Sequence, residues 1–183
     1  MKKKLTVLVA LLLLVTVSVG GTLAWLATQT APVTNTFTPS HVTTAVDEKT
    51  EGGVKSDVKI QNTGDTSAYI RATYVVNWVD GDGNVYAAQP EEGTAYTVVL
   101  NKGSGSDQWT QGTDGYYYYN SEVPATAGHD YTGVLITSIA PKGTAPTGYT
   151  LQVTIIAEGI QSQGMSATGA KNAFAIAAGA ATE

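Results

Sequence analysis

The sequence predicts an all-β protein: an antiparallel two-sheet sandwich of jelly-roll type, with a cleaved N-terminal signal helix and one short helix near the C-terminus. Three observations carry that expectation. Thr, Val and Tyr dominate the segments between turns, and β-branched and aromatic side chains suit a half-buried pleated surface. The strongest segments alternate apolar and polar residues with period two. Turn chemistry rich in Gly, Asn, Asp and Ser recurs at roughly 10–20-residue intervals, which favours short antiparallel strands over βαβ units.

The chain has 183 residues and starts with a targeting pattern. Lys2, Lys3 and Lys4 form a positive head, residues 5–19 are almost wholly apolar, and Gly20-Gly21-Thr22 ends the run. That is the three-part layout of a secretory signal peptide. Its apolar core is shorter than the roughly 20 residues a spanning helix needs. Cleavage is expected between Ala24 and Trp25, with Thr22 at the −3 position. Cleavage after Ala27 would place bulky Trp25 there. The expected division is a signal peptide, 1–24, and a single β-sandwich domain, 25–183. The product is expected to be secreted, to the extracellular matrix or cell surface.

The strands follow in order. Residues 33–38 alternate, with Val33, Asn35 and Phe37 on one face. Residues 54–60 alternate after a Gly pair. Residues 68–79, AYIRATYVVNWV, are the strongest strand: Ile70, Ala72, Tyr74, Val76 and Trp78 share an apolar face that should meet the core. Residues 95–100, 108–111 and 116–119 are weaker strands. Residues 132–139 and 149–157 are stronger, with Leu151, Val153 and Ile155 on one face of the latter. Asn62-Thr63-Gly64-Asp65, the 80–84 loop, Gly103-Ser104-Gly105-Ser106 and Thr113-Asp114-Gly115 supply the turns. Residues 167–178 are Ala-rich and read as a helix, with Phe174 and Ile176 its few large apolar residues.

Composition excludes several functions. The absence of Cys removes a disulfide scaffold, a thiolate zinc site and a cysteine nucleophile. Only His41 and His129 are available, and no His-Glu-x-x-His sequence exists. A Gly-x-Ser-x-Gly elbow and a phosphate-binding Gly-rich loop are also missing. The formal charge is −5, and loss of the three head lysines takes it to −8. A chain this acidic repels phosphate, so no nucleic-acid partner is expected. No cofactor is expected.

Two constellations have more than one reading. Asp80, Asp82 and Asn84 alternate as in a calcium loop, but Val85 stands where a hand-type loop needs Gly. The simple reading is a hairpin turn. Trp78, Trp109 and the run Tyr116–Tyr119 could pack the core, contact another protein or stack on sugar rings. Alternation puts two of the four tyrosines on each sheet face. Trp109, Tyr117 and Tyr119 are the candidate exposed contact aromatics. A third feature concerns the segment after the cut: a free N-terminal strand with apolar teeth can pair with the open edge of a neighbouring copy. Repeated head to tail, that contact does not close.

Gly21-Thr22-Leu23-Ala24-Trp25-Leu26, then Val33-Thr34-Asn35-Thr36-Phe37-Thr38, resembles the signal and early mature region of TasA/camelysin-like exported proteins. The segment 58–65 followed by Ala68-Tyr69-Ile70-Arg71-Ala72, and the segments 109–120 and 148–161, resemble later parts of the same family. The resemblance implies a jelly-roll subunit of extracellular biofilm-matrix fibres in Gram-positive bacteria. It implies removal of the signal by a SipW-type signal peptidase, and fibre growth by donor-strand complementation. The donor would lie within 25–38, with Val33 and Phe37 as teeth flanking Asn35. The partners would be further copies of the chain and other matrix proteins. The camelysin branch is described as metalloproteases; this sequence has no matching metal motif, so no enzymatic activity is expected. The alternative is a non-polymerising secreted surface-binding module for a carbohydrate or protein ligand.

Overall fold

A computed structural model describes residues 42–179. The signal segment, the Ala24–Trp25 cleavage pair, the candidate donor strand with Val33, Asn35 and Phe37, and His41 lie outside the described residues.

The described residues form eight strands in two four-stranded antiparallel sheets. The first sheet runs β1-β2-β7-β4, with β1 Thr44–Glu51, β2 Val54–Asn62, β7 Ile136–Pro141 and β4 Tyr96–Leu100. The second runs β5-β6-β3-β8, with β5 Trp109–Gln111, β6 Tyr117–Tyr119, β3 Ala68–Val79 and β8 Thr150–Gln161. Among the described residues one helix, α1, spans Ala170–Ala177.

The inward faces of the sheets share one core. Val58 and Ile60 of β2 and Ile136 and Ile139 of β7 meet Ile70, Ala72 and Val76 of β3, with Trp109, Tyr117 and Leu135 filling the space between. The apolar face expected for β3 is the face that packs: Ile70 and Ala72 are fully buried, Val76 and Trp78 nearly so, and Tyr74 partly. Of the buried polar residues, Asn62 is the most enclosed. Asn62 donates Nδ2–H to the Thr66 and Val123 carbonyls and accepts the Gly64 N–H. These bonds satisfy the amide and set the turn into β3.

Some boundaries differ from expectation. β1 is a strand that hydrophobic alternation misses, because TAVDEKTE is an edge strand and most of its side chains are exposed. Gly52 and Gly53, both at positive φ, join it to β2 in a two-residue turn that only glycine fills easily. β7 begins later than residue 132, because Thr132 takes the local bonding into its own hands: its hydroxyl accepts the Ile60 N–H while its N–H donates to the Ile60 carbonyl. β8 continues past residue 157, since Glu158 to Gln161 pair with Arg71 to Ala68. α1 starts later than 167, where Gly169 at φ 149 interrupts helical geometry.

Candidate functional site

The four sheet edges are unequal. β4 has five residues and β5 three, and short edges offer little to pair with. β1 is longer but carries charge: Lys49 pairs with Asp57 at 2.8 Å, Lys59 with Asp47 at 3.2 Å, and Lys55 with Glu48. Charged side chains discourage edge-to-edge association. β8 has neither protection. It is 12 residues long, TLQVTIIAEGIQ, and pairs only with β3 among the described residues. Its one charged residue, Glu158, is held by Arg71, whose Nη2–H and Nε–H donate to the same carboxylate oxygen at 2.7 and 2.9 Å.

The sandwich is also unevenly closed. On one side β4 and β5 meet through the Lys102–Trp109 bridge, and Trp109 N–H donates to the Asn101 carbonyl. On the other, β1 meets β8 at one end. There Thr44 Oγ1 donates to the Ala157 carbonyl, and Val42 packs so close to Gly159 that a Cβ would lie 2.8 Å from Val42 Cγ1. Farther along β8, Leu151, Val153 and Ile155 pack against the core yet remain only partly buried. Among the described residues this leaves an apolar flank beside an unpaired ladder.

The aromatic row corrects one expectation. Trp109, Tyr117 and Tyr119, the candidate exposed contacts, lie in the core. Trp109 is fully buried, donates Nε1–H to the Gly133 carbonyl at 3.1 Å and packs on Tyr119, centroids 5.2 Å apart. Tyr117 stacks on Tyr74 at 6.2 Å, and Tyr119 donates its hydroxyl to Asp107. Burial pushes the Tyr74, Tyr117 and Tyr119 hydroxyls up from their ordinary pKa. The alternation was legible; which pair faces inward depends on how β6 sits between β5 and β3.

The outward pair, Tyr116 and Tyr118, joins a polar cluster beneath α1. The Arg71 guanidinium stacks on Tyr116 at 4.2 Å and on Phe174 at 4.3 Å. Tyr118 donates to Asp114 at 2.6 Å, and Tyr116 donates to Glu158. The Tyr118 hydroxyl is the main cause holding the Asp114 carboxyl below its usual pKa. A cleft of about 430 Å³ runs beside the start of α1, lined by Thr110, Tyr118, Asn120, Thr168, Lys171 and Asn172. Asn120 is already used: it donates to the Gly103 and Gly105 carbonyls and accepts from Thr110.

The 80–84 loop is a turn tied by Asp80. Its carboxylate accepts the backbone N–H groups of Asp82 and Asn84 and the Asn84 amide, and the Val79–Val85 bridge closes the hairpin. The Asn84 amide is the main cause of the lowered Asp80 pKa. Asp80 and Asn84 thus bond to each other and to the turn. Among the described residues no group of three or more His, Asp or Glu is arranged to hold a metal ion. His129 is exposed in a turn, its N–H donating to Thr126.

The β8 edge was only half legible. Its apolar alternation over Leu151, Val153 and Ile155 stands in the sequence, but its extension to Gln161 and its place at the margin of a sheet do not. No protein-family model, curated protein or solved structure matches the chain.

Proposed function

We propose that this chain is a secreted structural subunit of extracellular biofilm-matrix or surface fibres, a jelly-roll sandwich that assembles by donating its N-terminal strand to a neighbouring copy. The observation that carries this reading is the β8 edge: twelve residues, one neutralised charge, one ladder side unpaired among the described residues, and Leu151, Val153 and Ile155 incompletely covered beside it. An added strand satisfies the ladder and covers the flank. The donor is the alternating segment within 25–38, whose Val33 and Phe37 supply the teeth. Each such side chain contributes about 1.5–3 kcal/mol when fully buried, before ordering costs. Release of the segment by a SipW-type signal peptidase makes export the assembly step, and no turnover chemistry is involved. The resemblance to TasA/camelysin-like proteins supports the same reading. Trp109, Tyr117 and Tyr119 are core residues, so the binding-module alternative would need another contact surface.

The test is direct. Residues 25–183 are purified as monomer and followed by negative-stain electron microscopy. Filaments are expected, and they should vanish when residues 25–38 are removed from a chain that stays folded. Filaments that persist without that segment would exclude strand donation.

A further inference from the structure

Two pairs of tyrosine rings meet among the described residues. Tyr74 and Tyr117 belong to the core and lie nearly parallel, 6.2 Å between centroids and 15° between planes. Tyr86 and Tyr149 meet at the surface, 4.9 Å between centroids and 57° between planes. Tyr86 is 40% exposed and Tyr149 half-buried. Their meeting is a product of the β3–β8 ladder, which sets Val79 opposite Thr150. Tyr86 returns to that end because its N–H donates to the Trp78 carbonyl at 2.9 Å, just past the Val79–Val85 bridge. Tyr149 directly precedes Thr150, and its N–H donates to the Pro146 carbonyl across a turn with Gly148 at φ 83.

We propose that Tyr86 and Tyr149 form an oxidative crosslinking site, joined as dityrosine by a one-electron oxidant of the peroxidase class, and that the link staples the Val79–Thr150 end of the ladder. Coupling of two phenols joins ring carbons edge to edge, with the rings twisted out of a common plane. The tilted surface pair is close to that arrangement. Tyr74 and Tyr117 lie face to face, and Tyr117 is buried away from an oxidant. Other outward phenols face a cation in place of a second phenol: Arg71 lies over Tyr116 and Lys59 over Tyr131. With no Cys in the chain, the pair offers a covalent tie that needs no thiol. The site is independent of strand donation.

Each phenol gives up its O–H hydrogen atom to the oxidant, which leaves two phenoxyl radicals. A carbon–carbon bond forms between the ring positions next to the two oxygens. Each of these carbons then releases its proton, each oxygen takes one up, and the rings regain aromaticity. Two hydrogen atoms in all leave the protein, and one hydrogen peroxide is reduced to two waters. Because the rings are already in contact, each radical meets its partner within the same molecule. The link closes a covalent ring that contains β4, β5, β6 and β7, and so restricts the unfolded chain.

The purified chain, kept dilute, is treated with a haem peroxidase and hydrogen peroxide, and the monomer is isolated and digested. The expected product is a monomer lighter by two hydrogens, with dityrosine fluorescence and one crosslinked peptide pair carrying Tyr86 and Tyr149. Tyr86→Phe and Tyr149→Phe, each checked for folding by circular dichroism, should cut that fluorescence by about tenfold, because the remaining phenol has no partner in contact. Tyr131→Phe should leave it unchanged. The crosslinked monomer should melt about 5–15 °C above the untreated one, with Tyr86→Phe treated identically as the control for other oxidation. Absence of the crosslink, its mapping to other tyrosines, or its appearance only between copies overturns the site. A crosslinked monomer that melts no higher than the untreated one overturns the staple.

Discussion

The Arg71 guanidinium stacks on the Phe174 ring, 4.3 Å from its centroid, and this contact helps tie α1 to the outer face of β3. α1 has eight residues, no side-chain cap at its start, no acidic residue in its first turn and no basic residue in its last. An isolated helix of that length is marginal in water. Its stability therefore comes from docking, through Ala170, Ala173 and Phe174.

Phe174→Ala should release the helix. The loss of ring burial and of the cation–π contact is expected to cost about 1–3 kcal/mol. Hydrogen exchange checks this: amides of α1 should lose protection while those of β3 and β8 keep it. Unchanged protection in α1 would show that the alanines suffice to hold it.

Asp114 makes the same region sensitive to acid. Its folded pKa lies below the ordinary carboxylate value, first because Tyr118 donates to it and further through the Tyr116 N–H and Arg71. A depressed carboxyl stabilises the fold above its unfolded pKa and loses that contribution as pH falls through the folded value. Denaturant midpoints measured from pH 6 down to about 2 should show a decline that is smaller in Asp114→Asn. An identical decline in the variant would assign it to other carboxyls.

Asp57 is a non-glycine residue at φ 53, and it pairs with Lys49 at 2.8 Å on the surface. Backbone and charge are separable here. Left-handed geometry costs most residues about 1–2 kcal/mol, and Asn tolerates it well. An exposed ion pair contributes little. Asp57→Asn should therefore be close to neutral, Asp57→Gly neutral or stabilising, and Asp57→Val clearly destabilising in urea melts. A large loss in Asp57→Asn would mean that the ion pair outweighs the backbone preference at this position.

Trp109→Ala should behave as a core deletion. The ring is fully buried, and its N–H is bonded to Gly133. A loss of about 3–5 kcal/mol is expected. Trp109→Phe should lose less, the difference reporting the indole N–H bond. A folded Trp109→Ala chain that had lost only a glycan affinity would reverse the assignment of this residue to the core.

Much of the fold was legible because local pattern and tertiary outcome agree. Residues 68–79 alternate cleanly, and β3 occupies that span with Ile70, Ala72, Val76 and Trp78 inward. β1 was not legible by alternation, since an edge strand with one solvated side has little need of apolar residues; the Gly52-Gly53 pair was its best signal. The tyrosine run announced two faces without saying which was inside.

Sequence alone determined the strand-rich class, the turns, and the apolar face of β3, because side-chain period and turn chemistry act over a few residues. Tertiary structure decided that β8 is an edge among the described strands and that Trp109 is core. Those properties depend on which strands become neighbours. β3 and β8 pair across some seventy intervening residues, with Val79 opposite Thr150. No local pattern encodes which side of such a ladder is left open.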